Sequence, residues 1–98
     1  IMSLIHYDND FTSLIEKKAV VDFYAEWCGP CKMFSPVFEE LSTKYHFNFV
    51  KVNVDQNADI AKEYGVMTIP TVILFENGKE VKRSIGFMSK DDLETFLK

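Results

Sequence analysis

Ala19-Val20-Val21-Asp22-Phe23-Tyr24-Ala25-Glu26-Trp27-Cys28-Gly29-Pro30-Cys31-Lys32 carries an almost unbroken apolar run into two cysteines separated by Gly-Pro. Ala19 to Ala25 is apolar or β-favouring except at Asp22, the pattern of a strand buried on both faces in a sheet covered by helices. From about Cys28 to Lys44, Phe34, Val37, Phe38, Leu41 and Tyr45 recur at helical spacing. Pro36 within that helix removes the bond to the Lys32 carbonyl and is expected to kink it. The cysteines therefore fall where a central strand hands over to a helix.

Working outward, Ser3 to Tyr7 reads as a short strand. Asp8 and Asn9 are helix-capping residues ahead of Phe11, Leu14 and Ile15, which predicts a helix reaching Lys18. Phe47 to Val54 is the next strand, and Asn57 then caps a short helix with Ile60, Ala61 and Tyr64 on one side. Gly65 closes that helix where left-handed backbone is favoured. Thr71 to Phe75 and Lys79 to Ile85 flank Asn77-Gly78, a dipeptide suited to a type I′ hairpin turn. Ser89 with Asp92 resembles a capping box before Leu93, Phe96 and Leu97. The order β-α-β-α-β-α-β-β-α predicts an α/β fold, a mixed sheet with helices on both faces.

The bulk numbers limit what such a fold does. Ninety-eight residues make one small domain, residues 1–98, and 47% hydrophobic content with nine Phe makes disorder implausible. Phe23, Phe34, Phe38, Phe47, Phe49 and Phe75 are read as core. The net charge is −4 with acids and bases interspersed, so nothing grips nucleic acid or an anionic membrane. No apolar run approaches the roughly 20 residues of a membrane span. The first residues lack a secretory leader, Ile1 before Met2 reads as an added residue, and a cytoplasmic protein is expected. Nothing calls for a dimer, and a monomer is expected.

The two cysteines are the chemical signal. A pair three positions apart closes too short a loop to staple a fold, and small disulfide scaffolds use more cysteines. On a helix, positions i and i+3 share a face about 5–6 Å apart, so a disulfide there forms and opens without rebuilding the backbone. The first turn of the helix offers unpaired N–H groups and the positive end of the dipole, and both favour a thiolate. Cys28, nearer the helix start, is the expected nucleophile toward another disulfide, and Cys31, deeper, the resolving thiol. Pro30 fits a turn with no N–H partner to lose, and Gly29 leaves a partner chain room to approach. Zinc wants four ligands, whereas only His6 and His46 are on offer, 22 residues before Cys28 and 15 after Cys31. No metal and no cofactor are expected.

Phe23 to Lys32 resembles the active-site segment of the thioredoxin family. Lys51-Val52-Asn53-Val54-Asp55, Tyr64 to Thr71 and Phe75-Glu76-Asn77-Gly78 resemble further family segments, in order and at family spacing. The resemblance implies a five-stranded mixed sheet of order 1-3-2-4-5 flanked by four helices. It implies a protein-disulfide reductase recycled by an NADPH-dependent thioredoxin reductase. Gly29-Pro30 is the pair carried by the reducing members, whereas oxidases and isomerases more often have Pro-His or Gly-His there.

The resemblance also bears on residues that sequence leaves open. Asp22 by itself reads either as a solvent-facing strand residue or as a buried acid that needs a reason. By resemblance it is the buried acid behind the second cysteine, taking a proton from Cys31. Lys51 matches the lysine accompanying that acid, against the plain reading of a strand Lys with its amine in water. Pro70 matches the family's cis-proline, with the Ile69 backbone pairing to an extended substrate. Trp27, Thr68, Ile69 and Gly86 match the rim of the docking surface, against a core role for Trp27 and a simple turn or bulge at Gly86. Two departures stand out: Tyr24 replaces a Trp common in the family, and the N-terminus is slightly short.

Three functions fit these residues: a general cytoplasmic disulfide reductase, a donor dedicated to one target, and a binding module whose cysteines are idle. Targets for the first two include a peroxiredoxin, ribonucleotide reductase or methionine sulfoxide reductase.

Overall fold

In a computed structural model, which describes residues 3–98, the chain forms β1 (Leu4–His6), α1 (Phe11–Leu14), β2 (Ala19–Tyr24), α2 (Gly29–Ser42) and β3 (Asn48–Asn53). It continues through α3 (Ala58–Glu63), β4 (Thr71–Glu76), β5 (Lys79–Ile85) and α4 (Lys90–Phe96). The expectation about Ile1 and Met2 lies outside the described residues. The sheet order is β1-β3-β2-β4-β5, with β3 parallel to β1 and β2, and β4 antiparallel to both β2 and β5. The predicted element order and the implied strand order are both found.

Strand alternation divides the core in two. Val21, Phe23, Val50, Val52, Ile73 and Phe75 pack on Phe11 and Ile15 near α1 and on Ile60 and Ala61 of α3. Val20, Phe49, Val72 and Leu74 face the other way, onto Phe34, Phe38 and Leu41 of α2 and Leu93 of α4. Asp22 and Lys51 alternate into this second face, under α2. Five of the six core phenylalanines are fully buried, and Phe47 is partly buried, stacked on Phe49.

Local chemistry ends the elements. Asn77 and Gly78 both take positive φ, 55° and 79°, as a type I′ turn requires. Gly65 closes α3 at φ 63°. Ser89 Oγ accepts from the Asp92 N–H at 3.1 Å and caps α4. Pro36 falls within α2 without ending it. The first helix differs from expectation: Asp10, not Asp8 or Asn9, is its cap, and it stops at Leu14 rather than Lys18. The Leu14 carbonyl accepts from Asn48 Nδ2 at 2.9 Å and the Ile15 carbonyl from the Gly78 N–H at 2.9 Å, so tertiary donors take the acceptors a longer helix would use. Asn57 holds the cap position of α3, but its Nδ2 donates to the Asn53 carbonyl at 3.0 Å instead of its side chain capping the helix.

Candidate active site

Cys28 is the cap residue of α2, in extended backbone, and Gly29 and Pro30 begin the helix. The Cys31 N–H donates to Cys28 Sγ at 3.2 Å, so a first-turn donor without a helical partner is spent on that sulfur. Cys28 and Cys31 form a disulfide with their Cα atoms 5.2 Å apart. Exposures of 5% and 3% separate the two sulfurs little, so burial does not rank them. Their places differ: Cys28 caps the helix and lies against the loop that leads into β4, whereas Cys31 sits one turn in.

That loop brings Ile69-Pro70 opposite the cysteines, with the Ile69–Pro70 peptide bond cis. The Ile69 carbonyl oxygen lies 3.7 Å from Cys28 Sγ. In the disulfide this is a contact without a proton; after reduction the thiol has a carbonyl acceptor there. The Thr71 hydroxyl donates to the Thr68 carbonyl and pins the loop to the start of β4. The Gly86 N–H donates to the Pro70 carbonyl at 2.8 Å, with Gly86 at φ 98°, a backbone that glycine alone adopts readily. Trp27 is 70% exposed, which excludes a core role, and its indole N–H donates to Asp55 Oδ2 at 2.9 Å. Met67 beside Thr68 is 94% exposed and extends this face, although sequence reading did not single it out.

Asp22 is 1% exposed and Lys51 7%, so neither solvent-facing reading holds. The two are register partners across β2 and β3. Among the described residues neither carboxylate oxygen of Asp22 has a hydrogen-bond partner. Burial pushes its proton affinity up to about 7, with Lys51 pulling it down and Glu39 adding to the rise. The Lys51 ammonium donates instead to Ser35 Oγ at 2.5 Å and Glu39 Oε2 at 3.1 Å, and lies 4.8 Å from the centre of the Tyr24 ring. Ser35 and Glu39, one helical turn apart on α2, were not predicted. Their spacing puts them on one face, but which face meets Lys51 depends on how α2 crosses the sheet. His6, Tyr24, Cys31, Ser35 and Lys51 help line a pocket of about 270 Å³ beside the second cysteine. Both histidines are exposed, and no group of three or more His, Cys, Asp or Glu among the described residues is placed to hold a metal.

A helix-capping cysteine bonded to a partner one turn on, in a mixed sheet with a facing Ile-Pro loop, defines a thiol–disulfide oxidoreductase. Residues 3–98 match the family model Thioredoxin. The chain is 53% identical over 83 residues to thioredoxin of Mycoplasmoides gallisepticum, covering 84% of this chain and 83% of that one. It is 43% identical to thioredoxin of Chlamydia trachomatis, covering 94% and 91%. Among solved structures, Malassezia sympodialis thioredoxin superposes with a TM-score of 0.89 at 34% identity, covering 99% of this chain and 90% of that one. Reduced Schistosoma mansoni thioredoxin gives 0.87 at 42% identity, with 96% and 94% covered. The chain belongs to the thioredoxin family. It is a protein-disulfide reductase working by dithiol–disulfide exchange at Cys28 and Cys31, and membership implies exchange with a thioredoxin reductase and with disulfide-bearing proteins. No helix among the described residues is long and apolar enough to cross a membrane.

Proposed function

We propose that the single domain, acting as a monomer, reduces substrate proteins in a fixed order of attack. The Cys28 thiolate attacks one sulfur of a substrate disulfide; a Cys28–substrate bond forms, the substrate bond breaks, and the other substrate sulfur leaves as a thiolate. Cys31 gives its proton to Asp22 and attacks Cys28 Sγ, which releases the second substrate thiol and leaves the Cys28–Cys31 disulfide. Two electrons have then passed to the substrate. A thioredoxin reductase drawing on NADPH returns them, so no bound cofactor is needed. The observation carrying this order is the Cys31 N–H aimed at Cys28 Sγ, a donor that favours the anion on that atom.

Lys51 is given the part of balancing the Asp22 charge, and Gly29-Pro30 that of setting the poise of the pair. An extended substrate segment is read as pairing with the backbone at Ile69, between Trp27, Thr68, Pro70 and Gly86. The exposure of Trp27 and the carbonyl contact at Cys28 support that reading. We infer cytoplasmic work on targets such as a peroxiredoxin, ribonucleotide reductase or methionine sulfoxide reductase. The test is insulin-disulfide reduction coupled to NADPH and a thioredoxin reductase. Cys28→Ser abolishes turnover; full turnover by that variant overturns the proposal.

A further inference from the structure

Lys51 is the buried cation nearest the Asp22–Cys31 chemistry, and its contacts decide how much of its charge Asp22 meets. A buried ammonium requires acceptors, and two carboxylates are within reach of its strand position. Asp22 lies in register with it on β2, and Glu39 lies above it on α2. The ammonium is bonded to Glu39, and to Ser35, which itself donates to Glu39 Oε2 at 2.8 Å. Tyr24 covers a further side with its ring. An ammonium has three donors, and this arrangement spends them on α2 and the aromatic face. Asp22 receives none.

We infer that Glu39 is a positioning residue for the exchange reaction: it holds the Lys51 ammonium in the Ser35–Glu39 network, leaving the Asp22 carboxylate without a hydrogen bond from Lys51 and free to take a proton. The inference rests on the proposed role of Asp22 toward Cys31. Glu39 touches neither sulfur and acts only through Lys51. It is exposed to solvent, while Lys51, which lines the pocket beside Cys31, is buried.

Among the described residues, the other groups around Asp22 are these. On β3 the charged neighbour is Lys51, and on β4 the register partner is Val72, which is apolar. From α2, Glu39 acts on Asp22 through its charge; Cys31, Lys32 and Ser35 of the same helix and Glu26 of the preceding loop line the pocket that Lys51 also lines. The Ser35 hydrogen bond, and after it the hydrogen bond and charge of Lys51, pull the proton affinity of Glu39 down, and the charge of His6 at the end of β1 adds a smaller pull the same way. Glu39 is thereby kept ionised, as its hold on Lys51 requires. Its own charge also raises the proton affinity of Asp22, in the same direction as its effect through Lys51.

The test is a carbon-13 NMR titration of the Asp22 carboxyl in the oxidised protein, run beside the pH dependence of Cys31 attack on a Cys28 mixed disulfide. Glu39→Gln moves the Asp22 midpoint down, because an anion is lost and Lys51 is released toward Asp22. Glu39→Asp, which keeps the charge, recovers part of the parent midpoint, and Lys51→Met moves it up. Glu40→Gln, which breaks only the surface pair with Lys90, leaves it in place. A Glu39→Gln midpoint equal to that of the parent overturns the inference. If the NMR midpoint falls while the kinetic profile stays fixed, Glu39 controls Asp22 but Asp22 does not serve resolution. That result overturns the role in exchange and is separable from the first failure.

Discussion

Asp22 on β2 and Lys51 on β3 are register partners, yet no hydrogen bond joins the carboxylate to the amine. The fold thus buries an acid under α2 and leaves its charge uncompensated by direct contact. Burial is the largest cause of its raised proton affinity, ahead of the opposing field of Lys51. Such a group is poor for stability at alkaline pH and well suited to accept a proton near neutrality.

Stability reports the burial directly. Asp22 moves from an ordinary 3.8 to about 7 on folding, so between those values the folded state holds a proton that the unfolded chain has lost. Stability from this group therefore falls as pH rises through that window, and the full cost is present above it. A difference of roughly three pH units corresponds to a cost on the order of 4 kcal/mol. Asp22→Asn is expected to gain stability relative to the parent between about pH 5 and about pH 8. Urea unfolding at both values checks this, and a constant difference between the two proteins would contradict it.

The exposed indole gives the opposite signature. With Trp27 70% exposed and tied to the rest of the surface through Asp55, truncation removes little core packing. Trp27→Ala is expected to change unfolding free energy by less than about 1 kcal/mol. It should lower kcat/KM for a protein disulfide about fivefold or more, the loss of one aromatic anchor. A small-molecule disulfide, which does not reach that face, should be reduced at a nearly unchanged rate. Equal losses with both substrates would remove Trp27 from docking.

Gly86 separates backbone from side-chain effects. A methyl group there meets no atom within 4 Å, so its only penalty is the φ of 98°. Gly86→Ala is expected to cost about 1–3 kcal/mol of stability. The strain also falls on the N–H that holds the Pro70 carbonyl, so KM for protein substrates should rise while the isolated Cys28 thiol keeps its reactivity toward iodoacetamide. A neutral Gly86→Ala would show that this turn tolerates side chains.

Much of this architecture was legible in the residues. The run Ala19 to Ala25, the Asn77-Gly78 turn and the Ser89 cap each obey local rules, and each forms as those rules require. The first helix did not, because Asn48 and Gly78, distant in sequence, claim its last carbonyls. The cysteine pair was readable from spacing, and Asp22, Lys51 and the Ile69-Pro70 loop from the family resemblance. Ser35 and Glu39 were missed because their task arises only where α2 crosses β3, and no local pattern encodes that crossing. Asp55 was seen within a matching segment, but its bond to Trp27 depends on two loops meeting.

The order of attack is tested most directly by trapping. Reduced Cys31→Ser, mixed with a disulfide-bonded substrate protein, is expected to stop at a covalent intermediate, and peptide mass spectrometry should place the link on Cys28. Cys28→Ser under the same conditions should trap nothing comparable. A substrate linked through Cys31 in the Cys28→Ser protein, with none held by Cys31→Ser, would contradict the assignment of Cys28 as the attacking thiol.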